Sequence, residues 1–232
     1  MWGKYLAGTA ELYEELGGDV NQLLAETGCP GQILYGTSEL IPYSYGGYLL
    51  EVAARQLGRA DFALRLAEKR REIGYAREAV LYGRVAKTFE QAIKGIQNHL
   101  RGRSLGVYYS LETWPNVSSF SRLLDGQEST RYPQGNILFF ASLHNMLKEV
   151  TDNKWHPSSL PFTFKDADNN VSLRNYFGCS IQFNAEQDAI FCPSQFLNFE
   201  LPARDDNAHA LLSEYLTSLH LEDKPDFRQM VK

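Results

Sequence analysis

WHPSSLPFTFKDADNNVSLRNYFGCSIQFNAEQDAIFCPSQFLNFELP, residues 155–202, changes its hydrophobic period several times. Leu160, Phe162 and Phe164 alternate as in a strand. After Asn170, the residues Val171, Arg174 and Tyr176-Phe177 fall at helical spacing. Gly178 is the stop, because the residue past a helix end takes the left-handed conformation most cheaply as glycine. Ile181 and Phe183 then alternate across 180–184, residues 185–187 read as a turn, and 189–192 returns as a strand. Leu201-Pro202 is the exit. The order is strand, loop, helix, strand, turn, strand.

Working back from this stretch, residues 136–151 place Ile137, Phe140, Ala141, His144 and Leu147 on one helical stripe. Before that the period is 2. Leu105, Val107, Tyr109 and Leu111 alternate, Trp114-Pro115-Asn116 marks a turn, and 117–124 is a second strand. Asp125-Gly126 is a hairpin dipeptide, so 128–132 is expected to return as a third strand of an antiparallel meander. The first hundred residues have the helical period. Helices are expected at 6–16, closed by Gly17-Gly18, then from an Asp19 cap, then from Pro42 to Gly58, then from an Asp61 cap. Thr88-Phe89-Glu90-Gln91 is a capping box for a helix carrying Phe89, Ala92, Ile93, Ile96 and Leu100. Gly46-Gly47 inside the third helix cost about 1 kcal/mol each against Ala. Either another element approaches closely there or the pair is simply tolerated. The charged run 68–71 reads as a solvated face.

The expected fold is α+β, an N-terminal helical bundle packed on an antiparallel sheet with flanking helices. The expected division is 1–102 as a helical subdomain, 103–204 as sheet plus helix, and 205–232 as an amphipathic helix and tail. With 232 residues, 44% of them hydrophobic, the chain can bury a substantial core. A formal net charge of -5 argues against direct grip on nucleic-acid phosphates. The sequence has no 18-residue apolar run and no signal-peptide layout, and Cys29, Cys179 and Cys192 are too scattered for a disulfide framework. Cytoplasm is therefore the expected location.

Residues 155–202 also carry a resemblance. His156-Pro157, Tyr176, Phe177-Gly178, Cys179, Ile181, Phe183, Ile190-Phe191 and Leu201-Pro202 resemble the end of the N-terminal arabinose-binding-type sensor domain of AraC-type transcription regulators. By element order the likeness covers roughly residues 15–220, and its specific motif lies in 176–202. The resemblance implies a ligand-sensing regulatory domain, able to dimerise, that takes a small-molecule effector. It would meet DNA only through a C-terminal domain with two helix-turn-helix units, which 1–232 does not contain. In such regulators the last helix, here 207–219 with Leu211, Leu212, Tyr215 and Leu219, forms a dimer interface or couples to the DNA-binding part.

From the residues alone, a pocket between the subdomains is best sought among aromatics with polar tips and one cation. These are Tyr108, Trp114, Phe120, Trp155, Phe164, Arg174 and Tyr176. Arg174 stands out on condition that it is buried, since a buried guanidinium needs an anionic partner such as a ligand carboxylate. The same rings could equally be core and cross-strand pairs. No nucleophile elbow, dinucleotide fingerprint or paired His/Cys spacing is present, so catalysis, a metal and a cofactor are not expected. Two other readings stay open: a dimerisation module with no effector, and a haem or gas sensor using His144 or His99.

Overall fold

The computed structural model describes residues 3–35, 41–72, 77–101, 107–124, 128–165 and 170–222. Helices α1 (Thr9–Glu15), α2 (Val20–Thr27), α3 (Tyr43–Gln56), α4 (Phe62–Glu72), α5 (Arg77–Val85) and α6 (Phe89–Arg101) come first. Strands β1 (Val107–Thr113) and β2 (Val117–Leu124) follow, then α7 (Glu128–Arg131) and α8 (Pro133–Val150). The chain continues through β3 (Ser159–Pro161), α9 (Asn170–Phe177), β4 (Ser180–Gln182), β5 (Asp188–Pro193) and α10 (Asp206–Glu222). This is an α+β fold, as expected.

The helix ends follow from local chemistry. Asp19 Oδ1 accepts the Asn21 N–H at 2.8 Å, and Gly28 closes α2 at φ 65°. Thr88 Oγ1 accepts the Gln91 N–H at 3.4 Å, while Gln91 Oε1 accepts the Lys87 N–H at 3.1 Å, one residue before the cap. Gly178 ends α9 at φ 66°, its N–H donating to the Arg174 carbonyl at 2.9 Å. Helix α8 begins at Pro133, ahead of the expected 136, because proline's fixed φ suits the first helical turn. Residues 77–85, which periodicity leaves unassigned, form α5.

The strand pairing departs from expectation in two places. Residues 128–131 are the short helix α7, not a third meander strand, and Asp125-Gly126 lie outside the described residues. The second neighbour of β2 is β5, antiparallel, with Arg122 opposite Asp188 and Phe120 opposite Ile190. Strands β4 and β5, consecutive in sequence, are not neighbours either. The order is β1-β2-β5-β3-β4, and β3 pairs with β4 in parallel. Parallel strands need a crossover, and α9 supplies it. The sheet is therefore mixed rather than antiparallel.

Helix α8 joins the two parts of the chain. It packs on α3, α4 and α5, while Phe139 stacks on Tyr109 of β1 at 5.6 Å and Phe140 meets Phe162 edge-on at 5.7 Å. Residues 134–141 are all buried, as for a helix covered on every side. One apolar cluster runs from Leu6 through Leu138 to Leu197. The expected boundary after 102 lies outside the described residues. Gly47 answers the glycine question in α3: a Cβ there would sit 2.7 Å from Tyr132 Cγ, so a second element does approach closely.

Candidate functional site

Two cavities flank α8 on its α4 side. The first, about 370 Å³, lies between α4, α5 and α8. Its walls include Arg70, Arg71, Arg77 and Arg84, with Val80, Leu81 and Met146 as apolar surface. The second, about 590 Å³, runs along α4 and α8 to α9 and includes Glu68, His144, Lys148 and Tyr176. Arg71, Glu72, Asn145 and Glu149 line both, so the two adjoin as one trench.

In the second cavity the polar groups hold one another. Tyr176 donates to Glu68 Oε1 at 2.8 Å, and Asn145 Nδ2 donates to the same oxygen at 3.2 Å. Burial, and then the Glu68 carboxylate, keep the phenol protonated. His144 is buried against the rings of Phe177, Trp155 and Tyr176 at 5.3, 5.7 and 5.8 Å. Burial, with Lys148 and His156 nearby, pulls its pKa down to about 4, so the imidazole is neutral at physiological pH.

The first cavity is cationic. Arg70 is 1% exposed, donates to Ser142 Oγ at 2.9 Å and lies 4.8 Å from the Tyr5 ring centroid. Arg84 reaches Asp152 at 3.6 Å and Glu149 at 4.0 Å, both exposed pairs worth little in water. Arg71 pairs with Glu68 at 2.8 Å. Arg77 is exposed and makes no ion pair among the described residues.

The seven residues singled out from sequence are dispersed. Tyr108 is 65% exposed on β1 and Trp114 is 43% exposed at the β1–β2 turn. Phe120 is buried and stacks on Tyr109 at 6.1 Å, and Phe164 is buried between Phe162 and Phe183. Trp155 is buried between Phe89 and His144. Tyr176 alone of the seven lines either cavity. Arg174 is exposed on α9, so burial creates no demand for an anion there.

The buried arginines are instead Arg70 and Arg122. Arg122 on β2 donates to Asn136 Oδ1 and to the Tyr43 hydroxyl at 2.9 Å, under the Phe139 ring at 4.4 Å. Asn136 in turn donates to Asp188 Oδ2 at 3.0 Å, and Asp188 Oδ1 accepts the Thr163 N–H at 2.8 Å. This network balances its charge inside the fold. The run 68–71 is thus not wholly a solvated face. The signal was the stripe Phe62, Leu66, Arg70: steps of four put Arg70 on the core side of α4. Burial, the larger effect at both, holds the Cys179 thiol up at about 11 and raises the Cys192 thiol, as suits inert small hydrophobes.

Helix α10 rests on α5. Tyr82 stacks on His209 at 4.6 Å, and Asp205 N–H donates to the Val85 carbonyl at 3.1 Å. Leu211 and Tyr215 are 69% and 50% exposed and Leu212 is half-buried; the side chain of Leu219 lies outside the described residues.

A family model described as the arabinose-binding domain of AraC transcription regulators, N-terminal, matches residues 17–201. The chain belongs to this family. Its match covers the helices, the sheet and the Leu201-Pro202 exit, and ends before α10. The crystal structure of the transcriptional regulator CdpR from Pseudomonas aeruginosa superposes with a TM-score of 0.59 at 16% identity. It matches 90% of this chain, and this chain spans 66% of that one. That likeness is one of fold. No curated protein matches the sequence. For this arabinose-binding-type domain, no helix among the described residues is long and apolar enough to cross a membrane, and no three His, Cys, Asp or Glu cluster as metal ligands.

Proposed function

We propose that this domain senses a small-molecule effector in the α4–α8 trench and passes the result to α10. The observation that carries this is the position of α5. One face of α5, with Arg77, Val80, Leu81 and Arg84, lines the first cavity, and Tyr82 on the same helix seats His209 of α10. Any ligand that shifts α5 against α8 shifts the seat of α10. The connector before α10 is fixed to the same place: Leu201 N–H donates to the Lys87 carbonyl at 3.2 Å and Phe89 N–H to the Phe199 carbonyl at 3.0 Å. Effector binding thus biases two arrangements of α10, which is linkage between two sites. In the parent regulator α10 leads to a helix-turn-helix domain, and its exposed Leu211 and Tyr215 offer a dimer contact.

The test is native mass spectrometry of the 232-residue chain with pools of amino acids, short-chain acids and sugars, followed by hydrogen exchange on any hit. The expected result is an adduct that changes amide protection across 206–222. At 100 times its dissociation constant such a ligand adds about 2.7 kcal/mol of stability. A chain that ignores every pool, or an adduct that leaves 206–222 unchanged, would overturn the reading.

A further inference from the structure

We infer that the effector is a small organic anion, a carboxylate or phosphate on a short apolar body, with its charged end in the first cavity. This rests on the sensing reading above and names the ligand class for that trench. Arg70, Arg71, Arg77 and Arg84 line 370 Å³, in a chain whose net charge is -5. Two of them come from α4 and two from α5, so the fold gathers them. Arg70 is the fixed member. It is 1% exposed and held by Ser142 Oγ and the Tyr5 ring, the kind of pre-oriented guanidinium that grips a planar carboxylate or a phosphate in a set direction.

The opposing charges at this cavity are Glu72 and Glu149. Glu149 is engaged only at 4.0 Å, with Arg84, which also reaches Asp152 at 3.6 Å. Exposed pairs at such distances exchange easily for a better-placed anion. Val80, Leu81 and Met146 on the same wall set the other half of the ligand: an aliphatic or aromatic body of a few carbons. Bound there, the anion draws Arg77 and Arg84 of α5 toward Arg70 of α4 and loosens Arg84 from Glu149 and Asp152. That movement bears on the helix carrying Tyr82, and so on α10.

The experiment is calorimetric titration of the full chain with hexanoate, phenyl phosphate and inorganic phosphate, beside the neutral analogues hexan-1-ol and phenol. Hydrogen exchange over 206–222 is followed in parallel. The expected result is that hexanoate or phenyl phosphate binds, and which of the two binds more tightly tells a carboxylate from a phosphate site. The matching neutral compound binds at least roughly tenfold more weakly. Arg77→Gln and Arg84→Gln, on partly or fully exposed side chains that folding does not require, weaken the anion by about tenfold each. Arg70→Met weakens it further. Neutral analogues that bind as tightly as the anions, or anion binding untouched by Arg77→Gln and Arg84→Gln, overturn the inference while leaving the sensing reading intact. Anion binding that obeys the arginines but leaves 206–222 unchanged upholds the inference and overturns the coupling to α10. Binding by none of the probes overturns the anion class.

Discussion

Glu51 and His144 are expected to make the stability of this domain nearly independent of pH between 4.5 and 6.5, through two large effects of opposite sign. Glu51 accepts the Gln134 N–H at 2.6 Å at the start of α8, yet burial outweighs that bond and lifts the carboxyl from an ordinary 4.5 to about 7. The folded state therefore keeps a proton that the unfolded chain releases above 4.5, and raising the pH through this window destabilises the fold. Fully ionised, the group costs about 3 kcal/mol. For His144 the unfolded chain takes up a proton below 6.5 and the folded state only at about 4. Lowering the pH through that window destabilises the fold, again by about 3 kcal/mol. Where the windows overlap, each state binds one proton that the other does not, and the slopes cancel. Urea denaturation followed by far-ultraviolet circular dichroism at half-unit steps from pH 4.5 to 8 reads this directly. The wild type should be flat to pH 6.5. Glu51→Gln should gain stability as pH rises, ending up to about 3 kcal/mol above the wild type at pH 8. His144→Phe should lose stability as pH rises over the same range. If Glu51→Gln were instead destabilised at pH 8, the carboxylate would have to be ionised and favoured by the α8 N-terminus, and the reasoning from burial would be wrong.

Three further outcomes follow from packing and capping. Gly47→Ala places a methyl 2.7 Å from Tyr132 Cγ, near the backbone end of that ring where it cannot swing aside, and should cost about 1–3 kcal/mol by thermal denaturation. Asp205→Ala removes an oxygen that accepts the Asn207 and Ala208 N–H groups, both at 3.0 Å. About 1 kcal/mol of α10 stability should go with it, read as faster hydrogen exchange at 206–210 and not elsewhere. Arg122→Met leaves Asp188 buried without its cation and should cost about 3–5 kcal/mol in urea, while Arg122→Met with Asp188→Asn recovers part of the loss.

What could be read from sequence was what short-range chemistry decides. The Asp19 and Thr88 caps, the Gly178 stop and the apolar stripe of α8 each depend on groups within a few residues, and each stands where expected. Strand partners do not obey that limit. Residues 128–132 follow a hairpin dipeptide and invite a return strand, yet the partner of β2 lies beyond α8 at β5. The strand-helix-strand order of 159–182 was legible; its consequence, a parallel pair with another strand beside it, depends on β5 entering from the other side. The site was harder. Aromatic tips draw the eye to Tyr108 and Trp114, which face solvent, whereas Arg70 hides within a charged run and is given away only by its register with Phe62 and Leu66. Arg77 and Arg84 lie on a helix whose apolar face is too short to announce itself.

The position of β5 between β2 and β3 has a consequence during synthesis. When the ribosome has delivered β1 and β2, about 60 more residues must be made before β5 arrives, roughly 3 to 13 s at ordinary elongation rates. Through that interval one edge of β2 is an open template for the strands of neighbouring nascent chains. Its sequence, VSSFSRLL, meets the hazard with Ser118, Ser119, Ser121 and Arg122, polar side chains that discourage intermolecular pairing and only later become buried against α8 and β5.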